Sequence, residues 1–426
     1  MPYLRCNLQV KSCKQLVNVS HRERIRHVGQ SVEKEASPRS IQVLKPAYRV
    51  EECLAEIRTC LECGWTGMGF KTVEFEKQWC EYTSLPYSHF LSSATAGLEI
   101  ALNVLKTVYT WSDGDEVITT PLTFVSSNHS ILHQGLKPVF ADVDEHLCLD
   151  PESVRSRITS KTKAVLFVGL GGNTGQLEAI SALCREHGLK LILDAAHMAG
   201  TRLHGQHVGK EADITVFSFQ AVKNLPTADS GMICCADESC DALARKLSWL
   251  GINKDTYART VRQGAYKWYY DVEHTGYKYH GNSVMAALAI VGLRYLDQDN
   301  AYRRQLREWY DQQFQGLSAI KRIPIAQGCE SSSHLYQILL DDRDDIMMAL
   351  ADVGVHPGVH YRSNIEYSMF EKASGADACP RAMQVSKSTI SLPMHLGISH
   401  ADIDFISSSL KSILDYRDSR RMRTCA

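Results

Sequence analysis

The stretch FSFQAVKN, residues 217–224, carries a lysine, Lys223, out of an apolar run into small and polar residues. An amine at such a strand exit can form a Schiff base with an aldehyde cofactor, provided a dry site lowers its pKa. The plain alternative is a surface charge at a turn. Asp194 ends a second apolar run, LKLILDAA, 29 residues earlier (223 − 194). Its carboxylate can pair with a protonated pyridine nitrogen, or simply cap the following helix. Phe124 can stack on a ring face, or belong to the core. The segment SSATAG, residues 92–97, stands between a strand and a helix, where free backbone amides suit a phosphate. Ser218 can add a hydrogen bond to that phosphate. Each feature alone is ordinary; four such strand exits together point to a pyridine aldehyde carrying a phosphate.

A competing site is a dinucleotide loop. VGLGGNTGQLEAI follows a strand and opens a helix, and Gly169, Gly171 and Gly175 approximate a glycine fingerprint, with Asp194 as the ribose-binding acid. On that reading the chain is an NAD(P)-binding oxidoreductase. Against it, Thr174 stands where the third glycine belongs, and 168 residues precede a motif that usually begins its fold. Glycine turns after strands also arise for conformational reasons alone.

These residues need a scaffold that brings strand ends together. Helical periodicity covers 50–62 and 72–82. HFLSS, DEVITTP, KPVFADVD, TKAVLFVGL, LKLILDAA, ADITVFSF and SGMICC read as strands. ATAGLEIALNVLKTV, FVSSNHSILHQ and QLEAISALCREHG read as helices. Short apolar runs alternating with amphipathic helices predict an α/β fold with a mostly parallel central sheet covered on both faces. Such sheets place chemistry beyond the carboxyl ends of their strands. After about 285, two helical runs (SVMAALAIVGLRYLDQ and AYRRQLREWYDQQFQGL) precede the strand-like SSHLYQILLD and the helix RDDIMMALADVG, as in a second, smaller α/β domain.

The totals exclude several classes. The 426 residues are 44% hydrophobic and 22% charged, with a formal net charge of −1, so no polyanionic partner such as nucleic acid is expected. No apolar run is long enough to span a bilayer, and the first residues lack a secretory signal, so a cytoplasmic protein is expected. The 14 cysteines are scattered. Cys60 and Cys63 form a CxxC without a second ligand pair, so no metal is expected. Cys53, Cys60 and Cys63 read instead as buried free thiols on one helix.

In these blocks the sequence resembles the DegT/DnrJ/EryC1/StrS aminotransferases, fold-type I enzymes that use pyridoxal 5'-phosphate (PLP) and are best known as amino-sugar synthases. The resemblance covers roughly 45–415. GWTGMGFKTVEFEKQW looks like the family's opening segment and SSATAGLEIAL like its phosphate loop. TTPLTFVSSNHSILHQGLKPVFADVD is similar to the cofactor-stacking segment, LILDAAHMAG to the aspartate segment and FSFQAVKN to the Schiff-base motif. GYKYHGNSVMAALAIVGLRYLD, GVHYRSNIEY and ISLPMHLGISHADID resemble later family blocks.

The resemblance implies that Lys223 holds PLP, Asp194 faces its pyridine nitrogen and His197 lies near its ring hydroxyl. It implies Phe124 on the ring face and Thr95, Ala96 and Ser218 on the phosphate. Lys278 stands where the family has an asparagine that reaches the neighbouring subunit's phosphate. His360 and Tyr361 are expected to reach toward the acceptor. The implied protein is a homodimer with shared active sites, moving an amino group from L-glutamate to a keto-sugar, often nucleotide-linked, by ping-pong steps. GLGGNTG and TADSGM depart from the family pattern near the substrate, which leaves a catalytically silent binding or regulatory relative as an alternative. The expected organisation is a basic arm over 1–45, a PLP-binding large domain over 46–285 and a small C-terminal domain over 286–426.

Overall fold

The computed structural model describes residues 40–253, 270–370, 373 and 376–424. Most of the basic arm expected at the N-terminus therefore lies outside the described residues. Its last part, Ile41–Gln42, pairs in parallel with Val355–His356.

A seven-stranded sheet runs in the order Tyr87–Leu91, Gly231–Cys235, Ile214–Ser218, Lys190–Asp194, Thr162–Val168, Glu116–Thr119, Lys137–Phe140. Gly231–Cys235 is antiparallel to both its neighbours and every other pairing is parallel. Six strands therefore point one way and end at one edge. That edge receives Ser92, the Thr119–Phe124 loop, the Gly169–Gly175 loop, Asp194 and Ser218. The strands are buried on both faces, which is why they read as nearly unbroken apolar runs. On one face Trp79 packs edge-on against Phe217 and Phe219, with ring centroids 5.0 and 5.1 Å apart. On the other, the helix Ala94–Val108 buries Leu98, Ala101 and Leu105 against Val216 and Ile233.

The two helical runs after 285 are one 31-residue helix, Ser283–Gln313. The polar DQDN between them suggests a break, but each inward polar group has a partner. Arg49 pairs with Asp299 at 2.6 Å, and Asn300 Nδ2 donates to the Ala199 carbonyl at 2.9 Å. With Asp299 and Asn300 satisfied, the helix runs on. Its first half packs on the large sheet. Its second half, through Leu306 and Tyr310, packs on a three-stranded antiparallel sheet of Lys321–Arg322, Tyr336–Leu339 and Thr389–Leu392. The helices Arg343–Asp352 and His400–Thr424 flank that sheet.

Two expectations are corrected here. Cys53 and Cys60 are buried, but Cys63 is exposed, because the helix ends at Glu62 and Cys63 caps it. The glycine loop is not a phosphate cradle. Gly171, Gly172 and Gly175 take positive φ values of 66°, 89° and 45°, a conformation that favours glycine. A Cβ on Gly169 would lie 1.9 Å from Met198 Sδ, and one on Gly172 would lie 2.2 Å from Ser332 Oγ. These glycines let the loop pack against protein, which answers for the motif without a dinucleotide.

Candidate active site

Beyond the carboxyl ends of the strands lies a cavity of about 460 Å³. It gathers Thr95, Phe124, Asp194, His197, Ser218, Lys223, His360 and Tyr361, residues separated by up to 266 positions (361 − 95). Two of the expected site residues are not among its walls. Ala96 is buried one residue deeper in the helix, and its N–H donates to the Ser93 Oγ cap at 3.1 Å. Lys278 lies instead with its amine 3.4 Å from the centre of the Trp249 ring.

Lys223 leaves the strand Ile214–Ser218 on a short turn, its N–H donating to the Gln220 carbonyl at 2.8 Å. Its amine forms no hydrogen bond or ion pair with any described residue. Burial holds its pKa down to about 8, opposed by the Asp194 carboxylate. A substantial fraction of the amine is therefore neutral near pH 8, as a nucleophile toward an aldehyde must be.

Asp194 is the last residue of its strand and is 4% exposed. Oδ2 accepts from Ser127 Oγ at 2.7 Å and Oδ1 from the Ala196 N–H at 3.1 Å. Burial raises its pKa, while those two donors and Lys223 act the other way. A carboxylate so held can bind a protonated ring nitrogen.

Also on the cavity wall, Ser93 caps the helix Ala94–Val108. Ala94 and Thr95, its first residues, have no intrahelical acceptor for their N–H groups, which leaves them for an anion. Phe124 is 57% exposed although it is a large apolar ring, because its face borders the cavity.

His197 is buried and neutral, since burial and the nearby Lys223 hold its pKa well below the usual range. Its Nδ1 accepts the Gly171 N–H at 3.2 Å, so Nε2 carries the proton and donates to Tyr361 Oη at 3.2 Å. The Tyr361 hydroxyl proton is thereby left for another acceptor. His360 is also neutral, held down to about 4 by burial and Lys223, with Nδ1 bonded to Ser391 Oγ at 2.8 Å.

Three groups escaped sequence reasoning. Ser127 orients Asp194, and the clue was its place three residues after Phe124, one helical turn on. Asp229 and Gln220 also border the cavity, on loops whose course only the folded chain reveals.

The residues fit a flat pyridine bearing an aldehyde and a phosphate: a free amine, an oriented carboxylate, an exposed aromatic face and an open helix N-terminus meet in one cavity. Fold and site together define a PLP-dependent transaminase. Residues 48–411 match the DegT/DnrJ/EryC1/StrS aminotransferase family, and the chain belongs to that family. Among its relatives is the spore coat polysaccharide biosynthesis protein SpsC of Bacillus subtilis (strain 168). The two are 33% identical over 378 residues, spanning 86% of this chain and 96% of SpsC. The aminotransferase TlmJ of Streptoalloteichus hindustanus is similar in structure, with a TM-score of 0.81 and 30% identity over 88% of this chain and 99% of TlmJ. Spr1654 of Streptococcus pneumoniae, a candidate sugar aminotransferase solved in a PMP-form, gives a TM-score of 0.82 and 28% identity, covering 88% of this chain and all of that one. Membership of this family sets aside the nicotinamide oxidoreductase alternative.

Proposed function

We propose that this transaminase moves an amino group from L-glutamate to a keto-sugar, often nucleotide-linked, as a homodimer in the cytoplasm. The observation that carries the reading is the amine of Lys223, unpaired with any described residue, in a cavity shared with Asp194. The sugar acceptor is supported by the polysaccharide role of SpsC and by the sugar named for Spr1654. A reducing compartment suits the described cysteines, all of them free thiols. Lys278 lies outside the cavity of its own chain, on the Trp249 ring, and on this reading serves a second copy. No described helix is long and apolar enough to cross a membrane.

When bound, PLP supplies an electron sink that stabilises the carbanion left once a proton leaves the amine-bearing carbon. The chain's own residues do the rest. Lys223 would hold the aldehyde carbon and, as a free amine, would accept the α-proton and return it elsewhere. Asp194, kept in line by Ser127, holds the ring nitrogen protonated. The Thr95 amide and Ser218 would bind the phosphate, with Ala96 next to Thr95 in the same helix turn. Phe124 would cover one ring face, and His197, which turns Tyr361, would lie at the ring edge. Tyr361 and His360, on one loop, border the acceptor and can donate to its oxygens.

The direct test is transfer of ¹⁵N from labelled glutamate to a panel of keto-sugars, nucleotide-linked and free. Label in an amino-sugar supports the proposal. If the protein exchanges label with 2-oxoglutarate but aminates no sugar, the acceptor assignment is wrong. Failure of both reactions favours the silent relative.

A further inference from the structure

His334 does not border the cavity, yet it touches His197, which does, and Asn224, the neighbour of Lys223. It is 1% exposed, two residues before the strand Tyr336–Leu339. Its partners fix its chemistry. Asn224 Nδ2 donates to Asn300 Oδ1 at 2.7 Å and to the Ser332 carbonyl at 2.8 Å. Asn300 Nδ2 is itself spent on the Ala199 carbonyl, so its oxygen is the acceptor in this chain. With both amide hydrogens of Asn224 used, its Oδ1 must accept from His334, whose Nδ1 lies 2.8 Å away. His334 Nδ1 therefore carries the proton. Burial, with His197, Lys223, Arg303 and His360 nearby, keeps the ring neutral.

The same ring lies on His197, centroids 4.3 Å apart and planes tilted by 37°. The backbone N–H of His334 also donates to the Gly171 carbonyl at 3.2 Å, while the Gly171 N–H donates to His197 Nδ1. One residue thus fastens the amide next to Lys223 in sequence and the imidazole that turns Tyr361.

Resting on the transaminase reading, we propose that His334 is a positioning residue: through Asn224 and His197 it holds the Lys223 amine and the Tyr361 hydroxyl facing one another across the cavity. It never meets substrate. Its effect belongs on kcat and on the electrostatics around Lys223, not on KM.

Two substitutions separate its contacts. His334→Phe keeps a ring on His197 and removes the donor to Asn224. His334→Asn places an amide N–H near the position of Nδ1 and removes the ring. The readout is the pH midpoint of the yellow band of the lysine-held cofactor, together with kcat and KM. A lost hydrogen bond in this setting shifts the H334F midpoint by about 0.5–1 pH unit and lowers kcat about tenfold, with KM within about twofold. H334N restores the midpoint. Asn224→Ala reproduces the H334F shift, and the double variant adds nothing further, because the two residues act as one. If H334F does not fold, the contrast between N224A (shifted) and H334N (unshifted) decides the matter. Folded H334F or N224A with an unmoved midpoint and wild-type kcat overturns the proposal. Absence of any yellow band in the wild type sinks the transaminase reading and this inference with it.

Discussion

Two clusters of buried ionisable groups meet the same sheet, and they are built on opposite plans. Near its edge strand, Glu76 receives Arg245 at 2.8 Å, His89 at 2.9 Å and the Phe90 N–H at 2.8 Å, while Arg245 also bonds Asp241 at 2.7 Å. His89 completes the set with Ser248 Oγ at 2.7 Å. Burial alone would raise the Glu76 pKa, but Arg245 and His89 outweigh it and bring it down to about 2. In the cavity, Lys223 has the Asp194 carboxylate acting on it and no hydrogen bond to any described residue, and burial prevails. Glu76, with both oxygens bonded, holds its charge in place for the fold, while Asp241 at the rim of the cluster keeps one oxygen unbonded. The cavity keeps an amine uncommitted for chemistry. A buried charge with every partner filled is structure; one left short of partners is available to a ligand.

Substitutions should therefore separate the two. The largest loss is expected from Lys223→Ala, which should abolish the yellow band and reduce amino transfer by about 10⁴-fold or more, with the melting temperature of the apo-protein unchanged or higher. Next comes Asp194→Ala, expected to lower kcat by about 10²–10³-fold while PLP still binds; steady-state kinetics with a bound-cofactor spectrum checks both halves. Glu76→Ala should do the reverse. It leaves Arg245 short of its main partner and costs about 3 kcal/mol of stability, the lower end for a buried pair because Arg245 is partly exposed. Its cofactor spectrum should match the wild type. Ser127→Ala, which removes one donor to a charged group, should lower kcat about tenfold without melting the fold. A result in which E76A silenced the enzyme and K223A only destabilised it would collapse the comparison.

The pH dependence differs as well. The Glu76 pKa is depressed, so its contribution is complete above about 4.5 and disappears as pH falls toward 2. For Lys223 the unfolded chain holds a proton that the folded apo-protein has released between about 8 and 10.5, so apo-protein stability rises with pH across that window. Denaturant midpoints across both ranges read the two effects. The rate of PLP uptake by the apo-protein should climb with pH and level off above about 8, not near 10.5.

The sheet and the groups at its edge were legible because parallel strands, buried on both faces, leave unbroken apolar runs whose ends are marked by Ser92, Asp194 and Ser218. Lys223 stood out as a cation where such a run stops. What could not be read depends on long-range pairing. The reversal of Gly231–Cys235 leaves no trace in its own residues, and the continuity of Ser283–Gln313 required Arg49 and Ala199 to satisfy a polar interruption from far away in sequence. Ser127 and His334 were overlooked for the same reason. Each is an ordinary residue locally, and its role lies in what it touches across the fold.

The most direct test is to reduce the PLP-loaded protein with borohydride, digest it and locate the modified lysine by mass spectrometry. The account predicts the pyridoxyl label on Lys223, with amino transfer lost in proportion to labelling. Stable label on another lysine, with transfer activity retained, would contradict it.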